Sequence, residues 1–225
     1  MRCPYCGNEI SYPNARFCPY CGRSLPGDTA GTVVQSAIQI TPGGLLDPRR
    51  SFYIIHEKYW DMGWGDIYDE YGRIIGKMER KILSLRGEIR LEELDGRVVG
   101  KVVRKIIAIR PTYDLLDPQG RLLARMRRKL LAILRPVLWL EDRNGNKLLK
   151  AQGDFLGFNF KIYDVAGRLI AEVNKLDAFK DLFLGGTIFD FSDKYALRIY
   201  DPRVSRLLLL GFVIAIDNAV HDVRK

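Results

Sequence analysis

The sequence contains few residues of the kinds that carry catalytic chemistry. Only two histidines, His56 and His221, occur in 225 residues, and neither lies near a cysteine or in an H-E-x-x-H pattern. No G-x-S-x-G motif is present. The segments Gly72–Lys77 and Gly96–Lys101 are each one residue shorter than the G-x4-G-K phosphate loop, and no Ser or Thr follows the lysine. These absences predict that the protein is not an enzyme.

Cysteine is missing from residues 22–225, so no disulfide can stabilise the larger part of the chain. Met1-Arg2-Cys3 leads directly into a polar segment without an apolar stretch, which predicts a cytoplasmic protein, with peripheral membrane association as a possibility left open. The longest unbroken apolar run is Leu207–Ile216. As a helix it spans only about 15 Å, about half of a hydrocarbon core. We therefore predict a helix buried inside the fold, with Asp201 as its N-cap and Pro202 as its first residue; membrane insertion is the lesser alternative.

All four cysteines lie in two copies of C-P-Y-C-G near the start of the chain, Cys3–Gly7 and Cys18–Gly22. Two C-x2-C pairs place four thiolates around one ion, and four thiolates at about 2.3 Å complete a tetrahedral Zn²⁺ site with no open position. C-P-Y-C also resembles the glutaredoxin redox motif, but that motif occurs once and needs a βαβ context. The sequence therefore predicts a structural Zn²⁺ held by Cys3, Cys6, Cys18 and Cys21, in a zinc ribbon over residues 1–24 that resembles ribbons binding protein or nucleic acid.

Residues 25–50 are rich in Gly, Pro, Thr and Asp, which predicts a flexible linker. From residue 51 onward the chain repeats the pattern apolar–x–acid–x–x–Gly–basic. The repeat glycines, 24, 24, 25 and 22 residues apart, are Gly72, Gly96, Gly120, Gly145 and Gly167. Acid-x-x-Gly between two apolar runs is typical of a β-hairpin turn, so the repeats predict five hairpins.

Strands at Phe52–Lys58 and Tyr195–Tyr200 bring the predicted count to about twelve. So many antiparallel strands leave no exposed edge if they close into a barrel. Four residues beyond the repeat glycines, the side chain is small at Gly76, Gly100, Ala124 and Ala171, although Leu149 is an exception. Small residues there allow a central element to approach the wall. We therefore predict a mainly β fold over residues 51–225, a closed antiparallel barrel around a buried C-terminal α-helix.

Residues 52–222 resemble the tubby C-terminal-like superfamily, which includes phospholipid scramblases and LURP-one-related proteins. The resemblance rests on the hairpin repeat and on the run from Arg206 through Gly211 to Asp217, which is similar to the scramblase C-terminal helix. It implies a twelve-stranded barrel threaded by that helix, and lipid binding or regulation without catalysis. The acidic calcium segment of scramblases is matched only loosely by Asp190 and Asp193, and the proline-rich arm and palmitoylated cysteines of the animal proteins are absent.

The formal net charge is +9, and residues 73–135 hold 17 Lys and Arg against 7 Asp and Glu. Basic residues recur five and about eight positions beyond the repeat glycines, so we expect them to form a stripe that binds lipid headgroups or phosphates. A solvated outer wall is the open alternative. The candidates are Lys77, Arg80, Lys81, Lys101, Arg104, Lys105, Arg125, Arg127, Arg128 and Lys129.

The predicted function is non-catalytic binding or regulation, in which the barrel binds an anionic membrane surface or a protein partner and the ribbon binds a second partner. A nucleic-acid-associated protein is the main alternative, because the same charges attract phosphates. Along the chain, however, the aromatic residues are not interleaved with the basic ones, as a stacking surface for bases would need. Lipid transport of the scramblase type is the third hypothesis.

Overall fold

The computed structural model describes residues 2–10, 18, 20, 40–58, 64–81, 87–105, 112–128, 137–154, 158–176 and 194–224. These residues contain twelve β-strands and one α-helix. The elements in chain order are β1 (Phe52–Lys58), β2 (Trp64–Tyr68), β3 (Ile74–Lys81), β4 (Glu88–Glu92), β5 (Val98–Arg104), β6 (Thr112–Leu116), β7 (Leu122–Arg128), β8 (Val137–Glu141), β9 (Lys147–Asp154), β10 (Asn159–Asp164), β11 (Leu169–Lys175), β12 (Lys194–Ile199) and α1 (Arg206–Arg224).

The strands form a closed antiparallel barrel in which each strand pairs with its neighbours in the chain. The barrel closes between β1 and β12, where Phe52 lies opposite Arg198 and Ile54 opposite Ala196. The fold predicted from the sequence is therefore confirmed. The first strand has the predicted bounds, whereas β12 begins and ends one residue earlier than predicted.

The repeat turns are closed by a buried acid and a glycine with a positive φ angle. In the β2–β3 turn, Asp69 Oδ1 accepts hydrogen bonds from the backbone N–H groups of Tyr71 (3.0 Å) and Arg73 (2.9 Å). Gly72 closes the turn at φ 74°, a conformation that other residues rarely adopt. The Arg73 side chain then donates from Nε to Asp69 Oδ2 at 2.8 Å. The pattern read from the sequence is thus a local hydrogen-bonded unit.

Aspartates of this kind make the fold sensitive to acid. Burial alone would raise the pKa of Asp69, but hydrogen bonds from Arg73 and Tyr71 lower it overall. The Arg203 side chain lowers the pKa of Asp201, and the Arg49 side chain lowers that of Asp47. When the pKa of an aspartate is lower in the folded state than in the unfolded state, its contribution to stability is complete above the unfolded-state pKa of about 3.9. That contribution is lost as the pH falls toward the folded-state pKa.

We expect the free energy of unfolding, measured in urea, to decrease as the pH is lowered from about 4, and we expect Asp69→Asn to weaken that decrease. An equal decline in the variant would contradict this account.

Helix α1 fills the barrel. Leu209, Leu210 and Phe212 are fully buried, and hydrophobic residues surround the helix on every side. Two glycines allow it to fit: a Cβ on Gly211 would lie 2.5 Å from Leu115 Cδ1, and one on Gly100 would lie 2.5 Å from Leu207 Cδ1. None of the helices in the described part of the chain combines the length and hydropathy required to cross a bilayer.

The predicted start of this helix was wrong by several residues. Asp201 and Pro202 precede it in a turn, where the Asp201 carboxylate binds the backbone and side chain of Arg203 instead of a helix N-terminus. The helix begins at Arg206 and is capped by Ser205, whose carbonyl accepts from Leu209 N at 3.1 Å and whose Oγ accepts from Leu208 N at 3.4 Å.

The end of the predicted linker also belongs to the barrel. Leu45 and Leu46 are buried in the main core. Leu45 is held by two buried hydrogen bonds, from Tyr53 OH to its carbonyl oxygen and from its N–H to Glu93 Oε2, both 2.8 Å long. Its side chain occupies the space beside Gly76, where a Cβ would lie 2.9 Å from it. Gly76 therefore accommodates Leu45 and not the central helix.

Candidate metal site and basic outer face

Three of the predicted metal ligands come together in the N-terminal segment. The sulfur atoms of Cys3, Cys6 and Cys18 all lie within 4.8 Å of one another, and Cys21 lies outside the described residues. The Sγ atoms of Cys6 and Cys18 are 3.6 Å apart, much more than the about 2.05 Å of a disulfide. Ligands at about 2.3 Å from a tetrahedral ion are about 3.8 Å apart, so this spacing fits a thiolate metal site. The three cysteines can hold a metal ion.

The backbone around the cysteines is arranged to stabilise thiolates. The first knuckle is closed by hydrogen bonds from Cys3 N to the Asn8 carbonyl and from Gly7 N to the Cys3 carbonyl, both 2.9 Å. Tyr5 N donates to Cys3 Sγ and Tyr20 N donates to Cys18 Sγ, each at 3.4 Å, so the two C-P-Y-C motifs make the same contact. Burial raises the pKa of Cys6, but hydrogen bonds from Asn8, Cys3 and Cys18 lower it overall to about 7.

The candidate basic residues do not lie on one face. Side chains alternate along a strand, so residues five and eight positions beyond a repeat glycine point to opposite sides of the wall. Lys77 is exposed, whereas Arg80 Nη2 donates to Asn218 Oδ1 of α1 at 2.8 Å. Arg104 is exposed on the same face of β5 as the buried Val102. The side chains of Lys81 and Arg128, and the whole of Lys129, lie outside the described residues.

Several outward basic residues are paired with acids. Arg125 donates to both carboxylate oxygens of Asp114, at 2.5 and 3.0 Å, and Lys105 Nζ lies 3.6 Å from the same carboxylate. Lys77 lies opposite Asp66 and Glu92 in the two neighbouring strands. Lys101 differs, since it lies opposite Arg90 and Leu116. Local ion pairs therefore neutralise part of the basic excess.

Sequence reasoning missed a row of alternating basic and aromatic side chains across four strands. Arg127 of β7 lies opposite Trp139 of β8, Trp139 opposite Lys150 of β9, and Lys150 opposite Tyr163 of β10. We call Arg127, Trp139, Lys150 and Tyr163 the aromatic–basic row. At about 4.8 Å between strands the row is about 14 Å long. The residues alternate across the sheet and not along the chain, so only the strand register reveals them.

Lysine ammonium groups lie over the rings of this row. Lys147 Nζ is 4.2 Å from the ring centroid of Trp139, and Lys150 Nζ is 5.0 Å from that of Tyr163, both within cation–π range. Glu141, the carboxylate at the edge of the row, lies 3.5 Å from Arg127 Nε. The outer face thus presents two ammonium groups, those of Lys147 and Lys150, over aromatic rings, and beside them a third cation, Arg127, that is paired with Glu141. Such a surface can bind phosphate or another anion.

The closed twelve-stranded barrel around a hydrophobic helix is a tubby-like fold. A model of the LURP-one-related family matches residues 52–217, which is most of the chain. The protein belongs to the LURP-one-related family. The barrel fold of this family is consistent with a binding or regulatory role.

A solved protein structure from Arabidopsis thaliana supports the fold assignment. It is similar to this chain with a TM-score of 0.52 and 15% sequence identity, and the match covers 81% of this chain and 99% of that protein. At this identity the likeness concerns the fold alone. No curated protein sequence matches the chain.

Proposed function

We propose that the protein is a non-catalytic, cytoplasmic binding protein whose barrel docks peripherally on anionic lipid headgroups. The observation that carries the proposal is the aromatic–basic row with Lys147. Near an anionic bilayer each Lys or Arg contributes about 1 kcal/mol, and Trp and Tyr suit the boundary between headgroups and water. In this proposal the N-terminal zinc ribbon, residues 1–24, binds a second partner, either a protein or a nucleic acid.

Nucleic acid is the second candidate, because basic and aromatic groups also bind single strands. The geometry favours lipid. A base must stack on an open aromatic face, whereas Lys147 and Lys150 lie over the rings of Trp139 and Tyr163. The same contacts present the ammonium groups outward on a flat support. This arrangement suits headgroup phosphates and carboxylates better than stacked bases.

Vesicle flotation tests the proposal. We expect the full chain to float with phosphatidylcholine vesicles that contain phosphatidylserine, at low salt, and not with phosphatidylcholine alone. The double variant Lys147→Gln/Lys150→Gln removes two charges, about 2 kcal/mol, and should weaken partitioning about 30-fold. The matched control is Lys77→Gln/Lys101→Gln, which removes two lysines from β3 and β5 and should cause a much smaller loss.

Two outcomes would overturn the lipid proposal: no flotation with anionic vesicles at low salt, or equal losses in the two double variants. Fluorescence anisotropy with a single-stranded oligonucleotide tests the nucleic-acid alternative. Binding that falls steeply with salt, together with failure to float, would support nucleic acid as the ligand. Thermal unfolding of every variant should match that of the parent, since all four lysines are on the outer face.

We also propose that the thiolates of Cys3, Cys6, Cys18 and Cys21 hold one structural Zn²⁺. A segment of about 24 residues cannot bury enough apolar surface to fold alone, so the metal would supply its folding energy. Elemental analysis should give one zinc per chain, and Cys18→Ser should lose it. The barrel of that variant should keep its urea midpoint. A chain purified without metal that takes up no Zn²⁺ on titration would contradict the site.

A further inference from the structure

Tyr20 connects the cysteine cluster to the barrel. Its backbone N–H donates to Cys18 Sγ, and its side chain packs against the small buried cluster of Cys3, Ile10 and Cys18. On its other side, the Tyr20 hydroxyl oxygen accepts from Arg168 Nη2 at 3.5 Å. The Arg203 guanidinium carbon lies 5.6 Å from the Tyr20 ring centroid, within cation–π range. One side chain therefore contacts both parts of the molecule.

The two arginines that contact Tyr20 are each held in place by an aspartate. Arg168 Nε donates to Asp164 Oδ2 at 2.6 Å, within the β10–β11 turn. Arg203 donates to both oxygens of Asp201, at 2.8 and 2.6 Å, in the segment between β12 and α1. These charge-assisted bonds fix the guanidinium planes. Because each arginine is already held by its aspartate, neither side chain loses much conformational freedom when Tyr20 binds.

The two arginine-bearing segments are also joined to each other. Tyr200 N and Asp201 N both donate to the Ile170 carbonyl, at 2.8 and 3.2 Å. Ile170 lies just after the turn that carries Arg168, so the strands set the spacing of the arginines. The result is a preformed receptor on the end of the barrel that bears the tight turns, with one arginine for the hydroxyl group and one for the ring.

We propose that this receptor is the docking surface for the N-terminal ribbon and that docking depends on the bound metal. The inference rests on the proposed zinc site, because the metal fixes Cys18 and hence the position of Tyr20. With metal bound, the ribbon is clamped on the tight-turn end of the barrel. Without metal, Tyr20 leaves the receptor, and the Arg168 and Arg203 side chains become open to another partner. Metal occupancy thus decides whether the two parts move together.

Nuclear magnetic resonance relaxation of backbone ¹⁵N tests the clamp in the full chain. In the zinc-loaded protein, amides of residues 2–10 should show the same rotational correlation time as barrel amides. Tyr20→Leu should shorten the rotational correlation time of residues 2–10 several-fold. Arg203→Ala should shorten it equally, without any change in the sequence of the ribbon. The matched control is Tyr5→Leu: Tyr5 holds the equivalent place in the first knuckle, is 44% exposed, and should leave the ribbon docked.

Zinc content, measured on each sample, separates this proposal from that of the metal site. One zinc per chain with an independently tumbling ribbon in the parent protein would overturn the clamp and leave the metal site standing. A parent-like correlation time in both Tyr20→Leu and Arg203→Ala would also overturn it. If Tyr20→Leu loses its metal, the zinc-loaded Arg203→Ala variant decides. Chelation of the parent protein should release the ribbon.

Discussion

Leu209→Asp and Gly211→Trp should each abolish folding of the barrel. Leu209 is fully buried at the centre of the barrel, so aspartate would place an unpaired carboxylate among hydrocarbon side chains. At Gly211 even a Cβ would lie 2.5 Å from Leu115, and an indole is far larger. We expect each change to cost at least about 5 kcal/mol, which equals or exceeds the total stability of many domains. The measurement is the far-ultraviolet circular dichroism and elution volume of the purified variants.

The control for these variants is Leu94→Asp. Leu94 is 57% exposed in the β4–β5 turn, so the same chemical change should leave stability within about 0.5 kcal/mol of the parent. Leu209→Met should be tolerated, because methionine conserves volume in a core. Cooperative unfolding of either disruptive variant at the parent's urea midpoint would show that α1 is not the core of the barrel.

Arg206→Met should cost at least about 3 kcal/mol of unfolding free energy, although it removes a charge from a buried site. Arg206 is 3% exposed, and its guanidinium donates to the carbonyl oxygens of Arg50 (2.8 Å), Val204 (2.6 Å), Pro202 (3.2 Å) and Pro48. Methionine would remove the donor from all four carbonyl groups, and an unsatisfied buried group such as the Val204 carbonyl costs about 1–3 kcal/mol. Lysine should not rescue the site, because one ammonium group cannot reproduce the planar set of N–H donors of a guanidinium group.

Arg143→Met is the matched control, because Arg143 also donates to a carbonyl oxygen, that of Leu122 at 3.3 Å, but does so on the surface. It should change stability by less than about 0.5 kcal/mol. Hydrogen exchange gives a second measurement: Arg206→Met should lose protection at residues 45–50 first, because Arg206 ties that segment to the start of the helix. Equal losses of stability in the two arginine variants would refute this role.

The parts of the fold that could be predicted are those specified by neighbours in the chain. Asp69, Gly72 and Arg73 make their turn with one another, so a five-residue pattern predicts the turn and its two strands. Five such patterns indicate ten strands, and closure follows because open edges are unfavourable. The cysteine pairs are equally local. The core helix was predictable because its residues 207–216 are all apolar or glycine and must be covered on every side.

The remaining features depend on contacts between residues far apart in the chain. The glycine at position 76 correctly indicated a close approach to the wall, but Leu45, in a segment with linker composition, makes that approach. The aromatic–basic row joins residues of four strands, and one shift of register would separate them. The arginine receptor for Tyr20 is formed by two segments that meet only when β11 pairs with β12. Periodicity along the chain contains no signal for such arrangements.

The position of the core within the chain has a consequence for biosynthesis. The barrel closes between Phe52 and Arg198, and its interior is filled by residues that follow β12. Hairpins form early because their contacts are local, but closure must wait for pairing across almost the whole domain. A nascent chain therefore displays the apolar inner face of eleven strands until residues 194–219 leave the ribosome. We expect this protein to need chaperones during translation and to aggregate when synthesis stops short of α1.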